Sequence, residues 1–399
     1  MLIGIVGKAN VGKSTFYKAA TMAEVLIANY PFATIKPNLG VAYVKVDCID
    51  KEFNTQCMPR TGFCINHIRF VPIQLMDVAG LVPGASEGKG MGNQFLDDLR
   101  AADCFIQVVD ASGGTTIEGK PCKPGEHDPC EDVDFLTREL DLWYLGILNK
   151  VWKTFARTLN VTKEQGGFEK GIAKQFSGLK IDEDIVKAAI RKTGLLSEKA
   201  TSWKDEELLL FARTLRLLSK PMVIAANKCD YPESEMNIKK MRERYPESMV
   251  IACSGDSELA LRQAAKAGLI EYIPGEKDFK LKKELNPKQL EALENIKKNV
   301  LQKYEFGSGV QAVLDKAVFQ LLKYIAIFPA GVNKLADSKG NILPDCYLLK
   351  DGSTALDFAF SLHTDIGKNF VKAIDARTGR ALGKDYKLKH RDALEIATK

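Results

Sequence analysis

The sequence predicts an α/β fold. A domain built on a mostly parallel sheet is interrupted by an antiparallel, coiled-coil-like helical insertion and followed by a small β-rich C-terminal unit. Three observations carry this expectation. The chain opens on an apolar strand, a glycine-rich turn and a helix start within its first fifteen residues. Apolar runs typical of buried parallel strands recur at Val71–Met76, Cys104–Val109, Met222–Ala226 and Met249–Ala252, most of them ending in a polar motif. Finally, 150 positions separate Asp77 from Asn227, where two strand–helix units of about 30 residues each would suffice, so the excess is an insertion.

Size and composition agree. The 399 residues suit two or three domains, and 45% hydrophobic content is ample for their cores. The net charge of +6 permits a nucleic-acid partner without requiring one. No apolar run approaches the roughly 20 residues that cross a membrane, and no charged-then-apolar leader precedes the first strand. A cytoplasmic protein without membrane contact, acting as a monomer, is expected. None of the nine cysteines forms a C-x-x-C pair. The groups Cys57, Cys64, His67 and Cys122, His127, Cys130 are each close in sequence. Neither offers four ligands at a zinc-site spacing, so buried structural thiols are expected.

The first strand, Leu2–Val6, leads into Gly7-Lys8-Ala9-Asn10-Val11-Gly12-Lys13-Ser14-Thr15, a G-x-x-x-x-G-K-[ST] loop. Backbone N–H groups of such a loop point inward onto phosphate oxygens, and the helix N-terminus adds partial positive charge. Asn10, Val11, Gly12, Lys13, Ser14 and Thr15 are therefore the expected phosphate-binding residues. Lys13 reaches the outer phosphates and Ser14 holds Mg²⁺. Thr34, in Asn29–Asn38, is expected to contribute to Mg²⁺ and the γ-phosphate. Asp77, at the end of the Val71–Met76 strand, is the third expected Mg²⁺ residue, and Gly80 offers its N–H to the γ-phosphate. Lys13, Thr34 and Gly80 thus form the expected catalytic set.

After the Cys104–Val109 strand, Leu136, Leu140, Trp143, Ile147, Val151, Phe155 and Leu159 recur at helical steps. Leu208, Phe211, Leu215 and Leu218 mark a returning arm, giving a helical hairpin over residues 128–216. The strand Met222–Ala226 ends in Asn227-Lys228-Cys229-Asp230, an N-K-x-D motif. The Asp230 carboxylate can accept from guanine N1–H and its 2-amino group, a donor pair that adenine lacks. The Lys228 stem can lie over the base, and Asn227 can tie this loop to the phosphate loop. Ser254 and Gly255, after the last strand, are the expected second base-contacting loop. The first domain is then 1–127 with 217–285.

Asn286-Pro287-Lys288-Gln289 is a helix start with a cap, a first-turn proline and a capping-box glutamine. That helix runs toward Gly307, and a second spans 310–327. Both belong to a connector, 286–328, packed on the first domain. Residues 329–399 alternate short β-runs such as Cys346–Leu349 with turns at Asp337–Gly340 and Lys350–Gly352. A basic run follows at Lys384, Lys387, Lys389, His390 and Arg391.

The motifs Gly7–Thr15, Tyr30–Asn38, Asp77–Gly80 and Asn227–Asp230, with the glycine-rich Pro83–Leu96, resemble the Obg-related GTPases. Within that group the chain is most similar to the YchF (Obg-like ATPase) subfamily, over nearly its whole length. Members with a degenerate base motif prefer ATP; the intact N-K-x-D here resembles the archaeal type and implies GTP and GDP. The segment Asp351–Ala359 resembles the TGS module, a β-grasp domain also found in threonyl-tRNA synthetases and translation GTPases. The resemblance implies a P-loop G domain, a projecting helical domain, and a ribosome or RNA partner met through the helical and TGS domains. It also implies Mg²⁺-dependent GTP hydrolysis. Leu81 stands where many G proteins carry a water-orienting glutamine, so a slow intrinsic rate is expected. Asn10 occupies the position of an asparagine ligand in potassium-activated G proteins. It either helps hold K⁺ and acts catalytically or only bonds its own loop. His127 is a further catalytic candidate or an inert loop histidine. An ATPase of the same architecture, and an RNA-binding module with negligible turnover, remain alternatives.

Overall fold

The computed structural model describes residues 1–21, 39–78, 80, 84, 99–161, 167–332 and 334–399. The first domain is a seven-stranded sheet in the order β2-β4-β1-β5-β6-β7, with β3 also paired to β4. Its elements run β1 (Leu2–Val6), α1 (Lys13–Thr21), β2 (Leu39–Asp47), β3 (Phe63–Ile65), β4 (Ile68–Asp77) and β5 (Cys104–Asp110). β1 pairs in parallel with β4 and β5, whereas β2 and β3 run antiparallel to β4. All seven residues of β5 are buried, which explains why this strand reads as an apolar run, broken only by Gln107, up to Asp110.

Between β5 and β6 come α2 (Pro129–Val161), α3 (Gly167–Gln175), α4 (Glu183–Thr193) and α5 (Asp205–Ser219). Among the described residues, two shorter helices thus lie between the two arms of the insertion. α2 and α5 still pair as the two expected arms. Its core includes Trp143, Tyr144, Trp152, Phe168, Trp203 and Phe211, and it is continuous with Val6, Val78, Leu99 and Phe105 of the sheet domain. Trp152 stacks on Trp203 with ring centroids 5.4 Å apart. α4 is bounded by Asp182, which caps it by accepting from Ile185 N at 2.9 Å, and by Gly194, which ends it in the left-handed region. None of the described helices is long and apolar enough to cross a membrane.

The sheet then resumes with β6 (Met222–Asn227), α6 (Ser234–Arg244), β7 (Met249–Ala252) and α7 (Gly255–Lys266), and a small β8 (Ile270–Glu271)–β9 (Lys280–Leu281) ribbon follows. α8 (Pro287–Ile296) starts on a closed capping box: Gln289 N donates to Asn286 Oδ1 at 2.9 Å and Asn286 N to Gln289 Oε1 at 3.3 Å. α9 (Val310–Lys316) continues as one wider turn to Leu321 and stops there. The expected helix over 310–327 is thus too long. Lys323 takes a positive φ of 54°, and the buried, β-branched run Tyr324–Pro329 forms β10. Val310, Val313, Leu314, Ala317 and Val318 bury the connector against β2, β4 and β6.

The C-terminal unit consequently begins at β10. It continues with β11 (Tyr347–Lys350), α10 (Ala355–Leu362), α11 (Thr364–Lys368), β12 (Phe370–Asp375), β13 (Ala381–Leu382) and β14 (Ala393–Thr398) in the sheet order β11-β10-β14-β12-β13. The parallel β10–β14 pair flanked by antiparallel neighbours, with Phe358 of α10 in the core, is a β-grasp arrangement. The basic run before β14 is not a free tail. Lys387 Nζ donates to Gly352 O at 2.7 Å, His390 Nδ1 accepts from Ala326 N at 3.2 Å, and Arg391 Nε donates to Asp47 O at 2.8 Å. Arg377 and Arg391 both engage Glu52, joining this unit to the end of β2.

Candidate functional site

β1 delivers the chain into Gly7–Gly12, and α1 begins at Lys13 directly behind it. Two glycines make the loop possible. Gly7 has φ 149° and passes so close to β5 that a Cβ would stand 2.5 Å from Val108 O. Gly12 has φ 91°, and a Cβ there would lie 2.3 Å from Asn227 Nδ2. Asn10 also adopts a left-handed φ of 62° at the loop tip.

Lys13 is buried, and its Nζ donates to Lys8 O at 2.6 Å. Burial lowers its pKa to about 8, against the opposing pull of Asp77. Ser14 Oγ donates to Asp77 Oδ2 at 3.0 Å, so the end of β4 and the start of α1 bring together two of the expected Mg²⁺ residues. The other oxygen, Asp77 Oδ1, is buried and has no hydrogen-bond partner among the described residues. A hard oxygen pair with one orphaned carboxylate oxygen fits a hydrated Mg²⁺. Gly80 lies over the loop: a Cβ on it would stand 3.0 Å from Ala9 N and 3.2 Å from Lys13 Nζ. Thr15, the third residue of α1, is half-buried, and Val11 in the loop before it is fully buried. Thr34 and Leu81 lie outside the described residues.

β6 brings the N-K-x-D segment alongside. Asn227 Nδ2 donates to Val11 O at 2.9 Å, while Asn227 Oδ1 accepts from Gly255 N at 2.9 Å. Lys228 turns left-handed at φ 61° and its Nζ meets Asp110 Oδ2 at 2.7 Å. The stem of Lys228 is thereby anchored at its far end. Asp230, two residues on, is exposed. Ser254 and Gly255 do not present their polar groups outward. Ser254 Oγ caps α7, accepting from Ser257 N at 3.2 Å, Ser254 N donates to Ser308 O at 2.9 Å, and the Gly255 N–H is taken by Asn227. These bonds fix the start of α7 against Asn227 and Ser308.

Asn10 does not bond only its own loop. Its Nδ2 donates 2.8 Å to Gly119 O, in the segment after β5. Several partners of the loop were not visible in the sequence as such. Lys8 is 3% exposed, pairs with Asp132 Oδ1 at 2.7 Å and donates to Thr115 O at 2.8 Å. His127 Nε2 shares the same carboxylate oxygen at 2.8 Å. His127 is thus held behind the phosphate loop by the first turn of α2 and is not an exposed loop histidine. Burial raises the Asp132 pKa even with Lys8 and His127 beside it. Asp110 is 1% exposed and accepts from Ser112 N and Oγ, Thr115 Oγ1 and Lys228 Nζ. The one available signal for Asp132 was an acidic residue in a helix first turn, which ordinarily reads as dipole compensation.

The comparisons with known proteins fall into the same pattern. A family model described as 50S ribosome-binding GTPase matches residues 2–134. One described as the G4 motif-containing domain of a YGR210-like, Obg-like GTPase matches residues 225–331, and the TGS domain matches 336–398. An uncharacterized GTP-binding protein of Methanocaldococcus jannaschii is 47% identical, covering 100% of this chain and 99% of its own length. The ribosome-binding ATPase YchF of Bacillus subtilis is 27% identical over 93% of this chain and 87% of its own. Among solved structures, a GTP binding protein from Pyrococcus horikoshii superimposes over both full chains with a TM-score of 0.78 and 40% identity.

The Lys8–Asp132 pair ties the phosphate loop to the insertion in a nearly dry setting, with side chains 1% and 4% exposed. Removing one partner of such a pair strands the other charge. Asp132→Ala should therefore lower the unfolding free energy by about 3 kcal/mol, read by chemical denaturation, whereas a loss below about 1 kcal/mol would place the pair in the class of surface bridges.

Proposed function

The chain belongs to the YchF/Obg-like family of P-loop GTPases, and from that membership we propose that it binds GTP and GDP with Mg²⁺, hydrolyses GTP to GDP and phosphate, and acts as a nucleotide-gated partner of the ribosome or another RNA. The observation that carries the guanine reading is the Asn227 bridge. It fixes the N-K-x-D segment against the phosphate loop through Val11 O and against Gly255 N, both at 2.9 Å. A base held beside this segment meets the exposed carboxylate of Asp230, which accepts from N1–H and the 2-amino group of guanine and finds no such pair on adenine. The B. subtilis relative is named an ATPase, so the base preference is the point on which the two enzyme readings divide.

The residues then have separable tasks. The loop N–H groups and Lys13 bind the phosphates; Lys13 is a buried cation whose proton is loosened by its dry surroundings and tightened by an anion. Ser14, Asp77 and Thr34 hold Mg²⁺, which when bound neutralises phosphate charge. Gly80 approaches Lys13 closely enough for its N–H to serve the γ-phosphate. Asn10, fixed through its amide nitrogen to Gly119 O, keeps its side-chain oxygen as a K⁺ ligand candidate. Leu81 cannot orient water, so turnover is slow without a trigger. The TGS domain, the helical insertion and the net charge of +6 support an RNA-bearing partner, and a cytoplasmic location follows from it.

In calorimetric titrations GDP should bind at least about 100-fold more tightly than ADP. Asp230→Asn should weaken GDP by about 100-fold through loss of a charge-assisted acceptor and gain affinity for xanthosine diphosphate, whose ring offers one donor and one acceptor. Equal affinity for GDP and ADP would transfer the assignment to the ATPase reading.

GTP turnover should be slow in Na⁺, faster in K⁺, and faster again with ribosomes. Equal rates in the two salts would remove Asn10 from catalysis. No turnover in any arm would favour an RNA-binding module whose nucleotide sets its shape.

A further inference from the structure

The segment from Cys48 to Arg69 gathers chemistry that the nucleotide site does not use. After β2 the chain makes one tight helical turn, Ile49–Phe53, and reverses at Asn54, whose φ is 51°. It returns through Cys57 and then through β3, which carries Cys64. The β3–β4 turn is made by Asn66 and His67, both at positive φ. These reversals bring the Sγ atoms of Cys48, Cys57 and Cys64 and a carboxylate oxygen of Asp50 within 4.8 Å of one another. Cys48 and Cys57 are 2% and 4% exposed, and Asp50 is fully buried.

We propose that Cys48, Cys57, Cys64 and Asp50 form a structural site for a thiophilic divalent cation, Zn²⁺ first among them. Four ligands around tetrahedral zinc at about 2.3 Å per Zn–S bond stand about 3.8 Å apart, and Cys48 Sγ and Cys57 Sγ are separated by 3.5 Å. The sequence hides the site because its spacings are long and one ligand is a carboxylate. The expectation of ordinary buried thiols for Cys57, Cys64 and His67 lacked Cys48 and Asp50, which only the fold supplies.

Two surrounding groups point independently to a bound cation with anionic ligands. Asp50 Oδ1 is 2.9 Å from His67 Nδ1, and Asp50 Oδ2 accepts from Cys57 N at 2.9 Å; such outer partners orient a ligating carboxylate. Arg69 is 1% exposed and pairs with no carboxylate among the described residues. Its Nη1 instead lies 3.5 Å from Cys57 Sγ. A buried guanidinium needs a compensating anion, and three thiolates with one carboxylate around a divalent cation leave a net negative centre. Binding would release the three thiol protons to solvent as the metal–sulfur bonds form.

The position gives the site a task. Arg69 Nη1 and Nη2 also donate to Leu343 O at 3.1 Å and Pro344 O at 2.7 Å. Met58 N donates to Ile342 O at 2.7 Å and Arg60 N to Pro344 O at 2.9 Å. The metal would brace the loop on which the C-terminal unit docks.

The test uses the full-length chain, reduced, loaded with zinc sulfate and passed through a desalting column, with metal measured by mass spectrometry. About one zinc per chain should be retained. Cys57→Ser and Cys64→Ser should each lower retention at least about tenfold, while Cys122→Ser, outside the cluster, should not. Cobalt(II) added to the unsubstituted chain should give thiolate-to-metal charge transfer and tetrahedral ligand-field bands, a readout independent of how the variants fold. Far-substoichiometric zinc, a cobalt spectrum without charge transfer, or a Cys48–Cys57 disulfide as the stable form in metal-loaded buffer would each overturn the proposal.

Discussion

Asn227 hydrogen-bonds in two directions at once, and much of the first domain's geometry follows from that. Through Nδ2 it holds Val11 of the phosphate loop, and through Oδ1 it holds the first residue of α7. A buried amide satisfied on both sides is costly to disturb, because each lost bond leaves a desolvated partner. The surrounding backbone is shaped to admit it. Gly12 has no room for a Cβ beside Nδ2, and a Cβ on Gly255 would come within 3.2 Å of Phe16 N. Asn227 thus ties the phosphate loop, the N-K-x-D loop and the start of α7 to one another, and Asp230 stands exposed nearby.

Both appended units attach close to that core. The insertion begins where Asp132 takes Lys8 and His127, directly behind the phosphate loop, and Asp110 of β5 fixes Lys228 nearby. The C-terminal β-grasp unit docks instead on the segment after β2, through Glu52 and Arg60, and on the start of β4, through Arg69. β2 and β4 pair along nine residues, and β4 ends in Asp77. A rigid antiparallel pair thus runs from the docking surface of the C-terminal unit to the residue that faces Ser14.

Much of this was legible in the sequence because the informative residues are local. Gly7–Thr15 makes a strand–loop–helix without long-range help. The Asn286–Gln289 box closes as its spacing requires, and the long gap before Asn227 betrays an insertion. What was hidden depends on contacts between distant segments. Lys8 looks like a variable loop position until Asp132 arrives from 124 residues away. The bonds that Ser254 and Gly255 make to Ser257, Ser308 and Asn227 were likewise not visible in the sequence. The helix expected over 310–327 failed because periodicity does not distinguish a buried helical turn from the buried strand Tyr324–Pro329. The Cys48–Asp50–Cys57–Cys64 cluster escaped for a different reason, since its cysteines are widely spaced and one member is a carboxylate.

Calorimetric titration of Asn227→Ala with GDP tests most directly whether the Asn227 bridge assembles the guanine-nucleotide site. With Asp230, Lys13 and Ser14 all intact, GDP affinity should fall by about 100-fold, the consequence of losing two buried hydrogen bonds that position the loops. Affinity equal to that of the unsubstituted chain would contradict the account.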